Sequence, residues 1–270
     1  MRRTHGFTLI EMIVVIVITG IIAAAVAVFI RYPVEGYADA VRRAELTDAA
    51  DVALRRIARD VRLALPNSLR VMSSGGINYI EFIMTQSGGR YRDPTDGSTG
   101  GNFLDFTNAA DTSFDVLGTL PLMAANDYIV IYNLGVPGSN AYVGNNRAQI
   151  LSFTGNAVTL TANPFASQSP PLPSPGARFQ VVPGSVRAVT YACPQVAAGN
   201  LTRYWNYGFN AAQAVPAGGS SALLAGNVSC SVDYSANATG RNGLLYISLT
   251  LTSSGESVTL FNQIHVDNSP

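Results

Sequence analysis

The feature that most constrains this chain is an uncharged apolar run from Met12 to Ile30, interrupted only by Thr19 and Gly20. About 20 apolar residues are enough for a helix to cross the hydrocarbon core of a bilayer. Extended by Phe7 to Ile10, the run reaches that length, and we predict a membrane-spanning helix. The Arg2-Arg3 pair precedes the run, so the positive-inside rule keeps the N terminus cytoplasmic and sends the rest of the chain outward.

A single carboxylate, Glu11, stands at the head of this segment. A charged side chain at the centre of a bilayer costs about 2.5–3.5 kcal/mol on insertion scales, so we expect Glu11 to have a cationic partner. The alternative is that Glu11 lies at the headgroup level of an ordinary signal anchor. A second alternative for processing is signal-peptidase cleavage at the small residues from Ala23 to Ala27.

The basic head Met1 to Gly6, the junction between Gly6 and Phe7, and Glu11 five residues past that glycine together resemble the type IV prepilin signature. Pilins and the pseudopilins of type II secretion share it. The resemblance implies that residues 1–6 are a leader, that a prepilin peptidase of the inner membrane cuts after Gly6, and that the same enzyme N-methylates Phe7. It also implies that Glu11 pairs with the terminal ammonium of a neighbouring subunit.

Such a pair has a physical reason to set register. In a low-dielectric helix bundle it offsets two desolvation costs, and a mis-registered subunit leaves both charges bare. The partners that the resemblance implies are the peptidase, other pilin subunits and the inner-membrane assembly platform. The implied location is the inner membrane, with the head in the periplasm and later on a pilus at the cell surface.

Residues 7–30 are thus predicted to be the membrane and assembly helix, and residues 31–66 its amphipathic continuation. Pro33 would kink or break this helix, and Pro66 and Asn67 should end it. A continuous helix of that length would measure about 90 Å. The apolar face expected to pack on the rest of the protein recurs at helical spacing: Tyr37, Val41, Ala44, Thr47, Ala50, Leu54, Ile57, Val61 and Leu65.

The opposite helix face is charged and includes the cluster Arg55, Arg56, Arg59 and Arg62. Such a face is usually solvated. The alternative is that this cluster contacts another subunit.

Residues 67–270 are predicted to form one globular β-rich head, which gives an α+β fold class. The resemblance to pilins implies an antiparallel sheet packed on the second half of the helix. Two long loops are expected, Gly88–Gly101 and Asn163–Gly176. The expected strands are rich in β-branched and aromatic residues: Tyr79–Met84, Tyr128–Asn133, Gln149–Phe153, Ala157–Leu160, Phe179–Val182, Val186–Tyr191, Thr202–Tyr207, Leu244–Thr252 and Ser257–Val266.

A second resemblance concerns two short stretches. Residues from Leu54 to Val71, and the tail from Val258 to Val266, are similar to the large minor pilin (O component) of mannose-sensitive haemagglutinin (MSHA) pilus biogenesis. The J-type minor pseudopilin of type II secretion shares the Arg-Asp-x-Arg-x-Ala-Leu-Pro part, which here is Arg59 to Pro66. The continuation Asn67 to Val71 and the tail favour the MSHA-type minor pilin.

The amino-acid composition excludes several classes of function. Formal net charge is zero, and loss of the leader would leave a side-chain balance of −2, so we expect no nucleic-acid partner. All 17 basic residues are arginine, which excludes lysine-dependent phosphate loops and nucleophile motifs. Cys193 and Cys230 are the only cysteines, and in an exported domain they are expected to form a disulfide.

No catalytic or cofactor motif stands out, so we expect a structural subunit with no cofactor and no metal. His265 lacks a nucleophile elbow, and the turn from Asp93 to Ser98 does not have the spacing of an EF-hand. The aromatic residues from Tyr204 to Tyr207 are expected to pack within the sheet. Three other functions remain open: a pseudopilin of type II secretion, a signal-anchored periplasmic enzyme or binding protein, and a DNA-binding minor pilin.

Overall fold

The computed structural model describes residues 6–95, 97, 100–213, 215–216, 218–236 and 242–270. One helix, α1, runs from Leu9 to Arg62. Thirteen strands follow in the described part of the chain: β1 Arg70–Ser74, β2 Ile77–Ile83, β3 Ser87–Tyr91, β4 Ser113–Leu117, β5 Tyr128–Val130, β6 Arg147–Thr154, β7 Ala157–Leu160, β8 Arg178–Val182, β9 Ala188–Pro194, β10 Gly199–Trp205, β11 Ser220–Ser235, β12 Asn242–Ser253 and β13 Glu256–Asp267. The predicted α+β class, a long N-terminal helix followed by antiparallel sheet, is confirmed.

Helix α1 is continuous through Pro33, so the predicted break is absent. Its end is anchored to the sheet, because the Leu63 carbonyl accepts hydrogen bonds from both the backbone N–H and the hydroxyl of Thr85, at 2.8 Å each. The helix therefore stops at Arg62, slightly before the predicted Pro66.

Only the C-terminal part of α1 packs on the head. The buried face contains Ala50, Leu54, Ile57 and Val61, which share one core with residues of β2, β9, β12 and β13. Tyr37 and Val41 were expected on this face, and that expectation is wrong. Both are exposed, because they lie on the N-terminal part of α1, which extends past the edge of the sheet.

The sheet that covers α1 has seven antiparallel strands in the order β1-β2-β9-β10-β11-β12-β13. The last two expected strands form the β12–β13 hairpin, whose twelve residue pairs run from Asn242 with Asp267 to Ser253 with Glu256 without a bulge. Strand β11 was not predicted. Five of its sixteen residues are serine, and it becomes a strand because β10 and β12 offer hydrogen-bonding edges on both sides.

Strands β3 to β8 form a second unit, a closed antiparallel barrel with the order β3-β4-β7-β6-β5-β8. It is inserted between β2 and β9, whose ends meet where Ile83 pairs with Ala188. Aromatic side chains, among them Tyr91, Phe114 and Phe179, fill its interior. The first expected loop, Gly88–Gly101, is wrong in part, because Ser87–Tyr91 pairs with β4 and β8.

The barrel and the sheet share a buried junction. Leu65 at the end of the helix packs with Ile83 and Ala188 of the sheet, and with Val130 and Val182 of the barrel. A ring contact supplements it, since the Arg70 guanidinium of β1 lies 3.7 Å from the centre of the Tyr142 ring. The head therefore presents the barrel at a fixed position relative to the helix.

Candidate functional site

The N-terminal end of α1 is closed by a reciprocal cap between Thr8 and Glu11. The Glu11 N–H donates to Thr8 Oγ1, and the Thr8 N–H donates to Glu11 Oε2, both at 3.4 Å. This arrangement satisfies backbone donors that an α-helix leaves free at its start. Glu11 is thus held in the first turn, where the helix dipole favours a negative charge.

Gly6 and Phe7 lie just ahead of this cap. Neither belongs to the helix, which begins at Leu9, and the Phe7 side chain is 79% exposed. The bond between them is therefore in non-helical, exposed backbone, and it precedes Thr8, whose N–H contacts the Glu11 carboxylate. The rest of the predicted leader, residues 1–5, lies outside the described residues.

The apolar part of α1 has no protein cover. Its most apolar window of 18 residues has a mean hydropathy of 3.2, and none of that window is buried. Thr19 carries the one hydroxyl between Met12 and Ile30, and it donates to the carbonyls of Val15 and Ile16 at 2.7 and 3.1 Å, so this run leaves no hydroxyl unpaired. The segment fits a membrane anchor.

A buried ionic cluster joins α1 to the sheet, centred on Asp60, which is 4% exposed. Its Oδ2 atom accepts hydrogen bonds from Arg203 Nε and from the Tyr191 hydroxyl, each at 2.8 Å. Arg56 approaches Oδ1 at 3.3 Å. Burial and the carboxylate of Asp60 raise the pKa of Tyr191 well above its ordinary value, so this tyrosine stays protonated and donates.

The two cysteines lie on strands that are not direct neighbours. Cys193 in β9 is bonded to Cys230 in β11, with Cα atoms 5.8 Å apart. Both are buried in the core beneath α1. The bridge crosses the start of β10 and fixes three strands of the sheet together.

The remaining sequence candidates are placed as follows. His265 is exposed on edge strand β13. The Asp93 carboxylate accepts a hydrogen bond from the Thr95 N–H at 2.8 Å, and Asp96 and Ser98 lie outside the described residues. Of the predicted aromatic cluster, Trp205 packs against the core beneath α1, and the Arg203 guanidinium lies over its ring at 4.8 Å. Among the described residues, no group of three His, Cys, Asp or Glu side chains is placed to hold a metal.

Two features escaped the sequence analysis. The Thr8-to-Glu11 cap had a signal, since Thr-x-x-Glu before an apolar run is the capping-box pattern. No local sequence pattern could have revealed the buried ionic cluster, because Asp60 and Arg203 are 143 residues apart.

Comparison with known proteins adds one finding. A family model described as the prokaryotic N-terminal methylation motif matches residues 1–27. No curated protein and no solved structure matches the chain. The N-terminus is thus similar to that of type IV prepilins, and the motif, together with the exposed apolar helix and the antiparallel sheet that follows it, supports a pilin or pseudopilin subunit.

Proposed function

We propose that this chain is a minor pilin of a type IV pilus of the MSHA type, placed near the filament tip, where it helps to initiate assembly and presents an adhesive surface. The observation that carries the proposal is the helix: an exposed apolar rod with one carboxylate in its first turn and a folded head on its far end. This is the architecture of a subunit that leaves the membrane by packing its helix among other helices.

In this proposal the prepilin peptidase cuts between Gly6 and Phe7 and methylates the new amine of Phe7. The Glu11 carboxylate then pairs with the terminal ammonium of a neighbouring subunit. The hydrogen bonds of the cap are long, at 3.4 Å, so the Glu11 carboxylate loses little stabilisation when it pairs with an ammonium instead of Thr8. Before assembly the head resides in the periplasm, and afterwards it lies on the cell surface.

The two stretches that favour the MSHA-type subunit meet in three dimensions. Asn67 donates from Nδ2 to the carbonyl of Asn268, just past β13, at 3.1 Å and to that of Asn133 in the barrel at 2.9 Å. Leu69 packs in the same core as Ile264 and Val266. The shared sequences therefore form one junction between helix end, barrel and tail, which supports a common head architecture.

The first test is the N-terminal mass of the native protein. We expect a chain that starts at Phe7 and is heavier than the plain sequence by one methyl group. Because the chain has no lysine, the amine of Phe7 would be its only primary amine, so labelling with an amine-selective reagent reports on that atom alone. A chain that starts at Met1, or after the alanine run, would reject the proposal.

The second test separates the charge of Glu11 from its capping role. We expect Glu11→Gln to be processed normally and to fail in filament incorporation, because glutamine keeps the hydrogen bond of the cap and loses the charge. Thr8→Ala removes the cap hydroxyl and keeps the charge, and it should incorporate. Immunoblotting of sheared filaments and membranes measures both. Normal incorporation of Glu11→Gln would reject the pairing.

The J-type minor pseudopilin of type II secretion is the second candidate. The motif it shares, Arg59 to Pro66, includes Asp60 and forms the helix–sheet junction described above, so this element fits both subunits. Deletion of the chain distinguishes them. Loss of pili with normal release of secreted proteins favours the pilin, and the reverse result favours the pseudopilin.

A further inference from the structure

Strand β13 is the last strand of the sheet, and one of its long edges is free. The β12–β13 hairpin closes on a two-residue turn in which Ser254 and Gly255 both have positive φ, at 48° and 85°, as in a type I′ turn. Such a turn makes Ser253 and Glu256 a hydrogen-bonded pair. Because backbone hydrogen bonds alternate in direction along a strand, every second residue from Ser257 onward directs its N–H and C=O away from β12.

This edge has none of the features by which proteins usually protect a strand edge, which are shortness, charge, proline, a bulge or a cover. Strand β13 is twelve residues long and pairs without a bulge, and residues 257–266 include no proline and no Asp, Glu, Lys or Arg. In the part of the chain that the structure describes, no other strand and no hydrogen bond from outside the sheet reaches the backbone of these residues. The free edge is therefore open to a further strand.

The opposite edge of the same sheet is different. Strand β1 is only five residues long. Its Arg70 donates to the carbonyls of Asn210 and Ala211, at 2.7 and 2.8 Å, which holds that segment beside the strand. The sheet thus has one covered edge and one open edge.

A groove of about 460 Å³ lies where β13 meets the flank of α1, with Asn262 on its strand side. The side chain of Asn262 belongs to the face of the sheet that packs on α1, because it alternates with the exposed Phe261 and Gln263. An extended segment that pairs with the free edge would therefore direct every second side chain into this groove. The helix side of the groove consists of Arg55, Ala58, Arg59, Arg62 and Leu63.

The described residues that line the groove include three arginines and no acidic residue. Arg55 is bound to Asp51 at 2.7 Å. Arg59 and Arg62 are exposed, and neither forms an ion pair with any residue that the structure describes. Beside them Leu63, 44% exposed, adds a short apolar surface. The groove therefore complements an acidic segment and disfavours a basic one.

The arginines and the strand share one direction, so their spacings can be compared. Glu256, at the start of β13, pairs with Arg43 at 2.8 Å, and Asn262, further along the strand, lies by Arg59, further along the helix. From Arg59 the neighbouring arginines are about 6.0 and 4.5 Å away along the helix axis. Side chains on one face of a strand recur about every 6.6 Å. Acidic residues at alternate positions of an added strand would thus lie opposite successive flexible arginine side chains.

We propose that the free edge of β13 binds an extended acidic segment of another protein as an added strand, with its acidic side chains on Arg59 and Arg62. Hydrogen bonds to the backbone of β13 hold the segment, and the arginines select acidic residues at alternate positions. The β13 strand of a second copy would not supply these charges, because residues 257–266 contain no Asp or Glu. The proposal does not depend on the pilin assignment.

Peptide binding to the full-length chain in detergent micelles tests the proposal. The probe is a fluorescent ten-residue peptide in which glutamate alternates with threonine, and its matched control has glutamine in place of glutamate. Fluorescence anisotropy measures both affinities. We expect the glutamate peptide to bind about three- to tenfold more tightly, the effect of two exposed ion pairs. In about 1 M salt, where charges are screened beyond about 3 Å, this difference should disappear.

Two double variants locate the charges that select the peptide. Arg59→Ala with Arg62→Ala should lower the affinity for the glutamate peptide to that for the glutamine peptide. Arg31→Ala with Arg42→Ala removes the same charge from α1 outside the groove, and it should leave the affinity unchanged. Equal effects of the two double variants would overturn the inference, and so would equal binding of the two peptides or binding of neither.

Two N-methylated peptides separate strand addition from simple attraction of charge, and they leave the protein unchanged. One carries N-methyl groups on its glutamates and the other on its threonines, with the same side chains in both. In an added strand only one of these two sets directs its N–H groups at β13, so one methylated peptide should bind about tenfold or more weakly and the other normally. Loss with methylated threonines indicates antiparallel addition, and loss with methylated glutamates indicates parallel addition.

Methylated peptides that bind equally would overturn the inference, since charge alone would then explain binding. Sedimentation of the chain with and without the glutamate peptide tests the other occupant of the edge. We expect no peptide-sensitive dimer. A dimer of the chain that the peptide dissociates would overturn the inference in favour of a second copy at this edge.

Discussion

At the scale of single residues, Asp60 couples helix α1 to the head. Its carboxylate is the sole acidic partner of Arg203, which is only 8% exposed, among the described residues. We expect Asp60→Ala to lower the free energy of unfolding by about 3–5 kcal/mol, because it leaves a buried guanidinium unpaired. Denaturant unfolding of the full chain in detergent measures this, with fluorescence of Trp205 beside Arg203 as the probe.

Asp51→Ala provides the matched control for Asp60→Ala. It removes a carboxylate of the same helix that pairs with Arg55 at 2.7 Å on the exposed side. Exposed ion pairs contribute about 0–1 kcal/mol, so its unfolding curve should nearly coincide with that of the wild type. Equal effects of the two substitutions would contradict the role assigned to the buried cluster.

At the scale of elements, the β1–β2 hairpin carries a buried cross-strand ion pair beneath the barrel. Arg70 lies directly opposite Glu81, and its Nε atom donates to Oε2 of that carboxylate at 2.8 Å. The Tyr207 hydroxyl donates to Oε1 at 2.9 Å. Burial raises the pKa of Glu81 above its ordinary 4.5, although the hydrogen bond and charge of Arg70 oppose the shift.

The raised pKa of Glu81 sets the sign of the pH dependence of stability. Because the folded state holds the proton of Glu81 more tightly than the unfolded chain does, the contribution of Glu81 to stability is fully present below pH 4.5 and is lost as pH rises through its folded pKa. We expect wild type to lose stability relative to Glu81→Gln as the pH rises above 4.5, and urea unfolding at several pH values measures it. A constant difference between wild type and Glu81→Gln at all pH values would contradict the argument.

At the scale of the whole molecule, the disulfide ties β9, the first strand of the sheet after the barrel insertion, to β11 of the same sheet. The bond links Cys193 and Cys230 across a separation of 37 residues. We expect the Cys193→Ala, Cys230→Ala double variant to lose about 3–4 kcal/mol of unfolding free energy, because the unfolded chain regains the entropy of an open loop. Denaturant unfolding measures the loss. Each single variant should match the double variant, and a loss under about 1 kcal/mol would contradict this account.

Much of the molecule could be read from local sequence. The apolar run, Glu11 and the Gly6–Phe7 junction predicted the helix and the N-terminal motif, because membrane length and charge cost are properties of a contiguous segment. The β12–β13 hairpin was predictable for a similar reason, since its strands are joined by a short turn that brings them together. How Gly6, Phe7 and Glu11 act stays a prediction.

The tertiary structure decided the features that depend on contacts between residues far apart in the sequence. Strand β11 has a composition that predicts a loop, and only the edges of β10 and β12 make it a strand. The closed barrel arises because β3 and β8, which are far apart in the chain, meet as neighbours at pairs such as Arg90 with Arg178. In the sequence, Asp60 is one of many charged residues of the helix. Only in the folded structure do Arg203 and Tyr191 donate hydrogen bonds to its buried carboxylate. The sequence by itself determined the long apolar helix, the class of the fold and the helix face that packs on the head, because each depends on a contiguous pattern. How far along the helix that packing extends was decided by where the sheet covers it: Ala50 is buried, whereas Tyr37 and Val41 on the same predicted face are exposed.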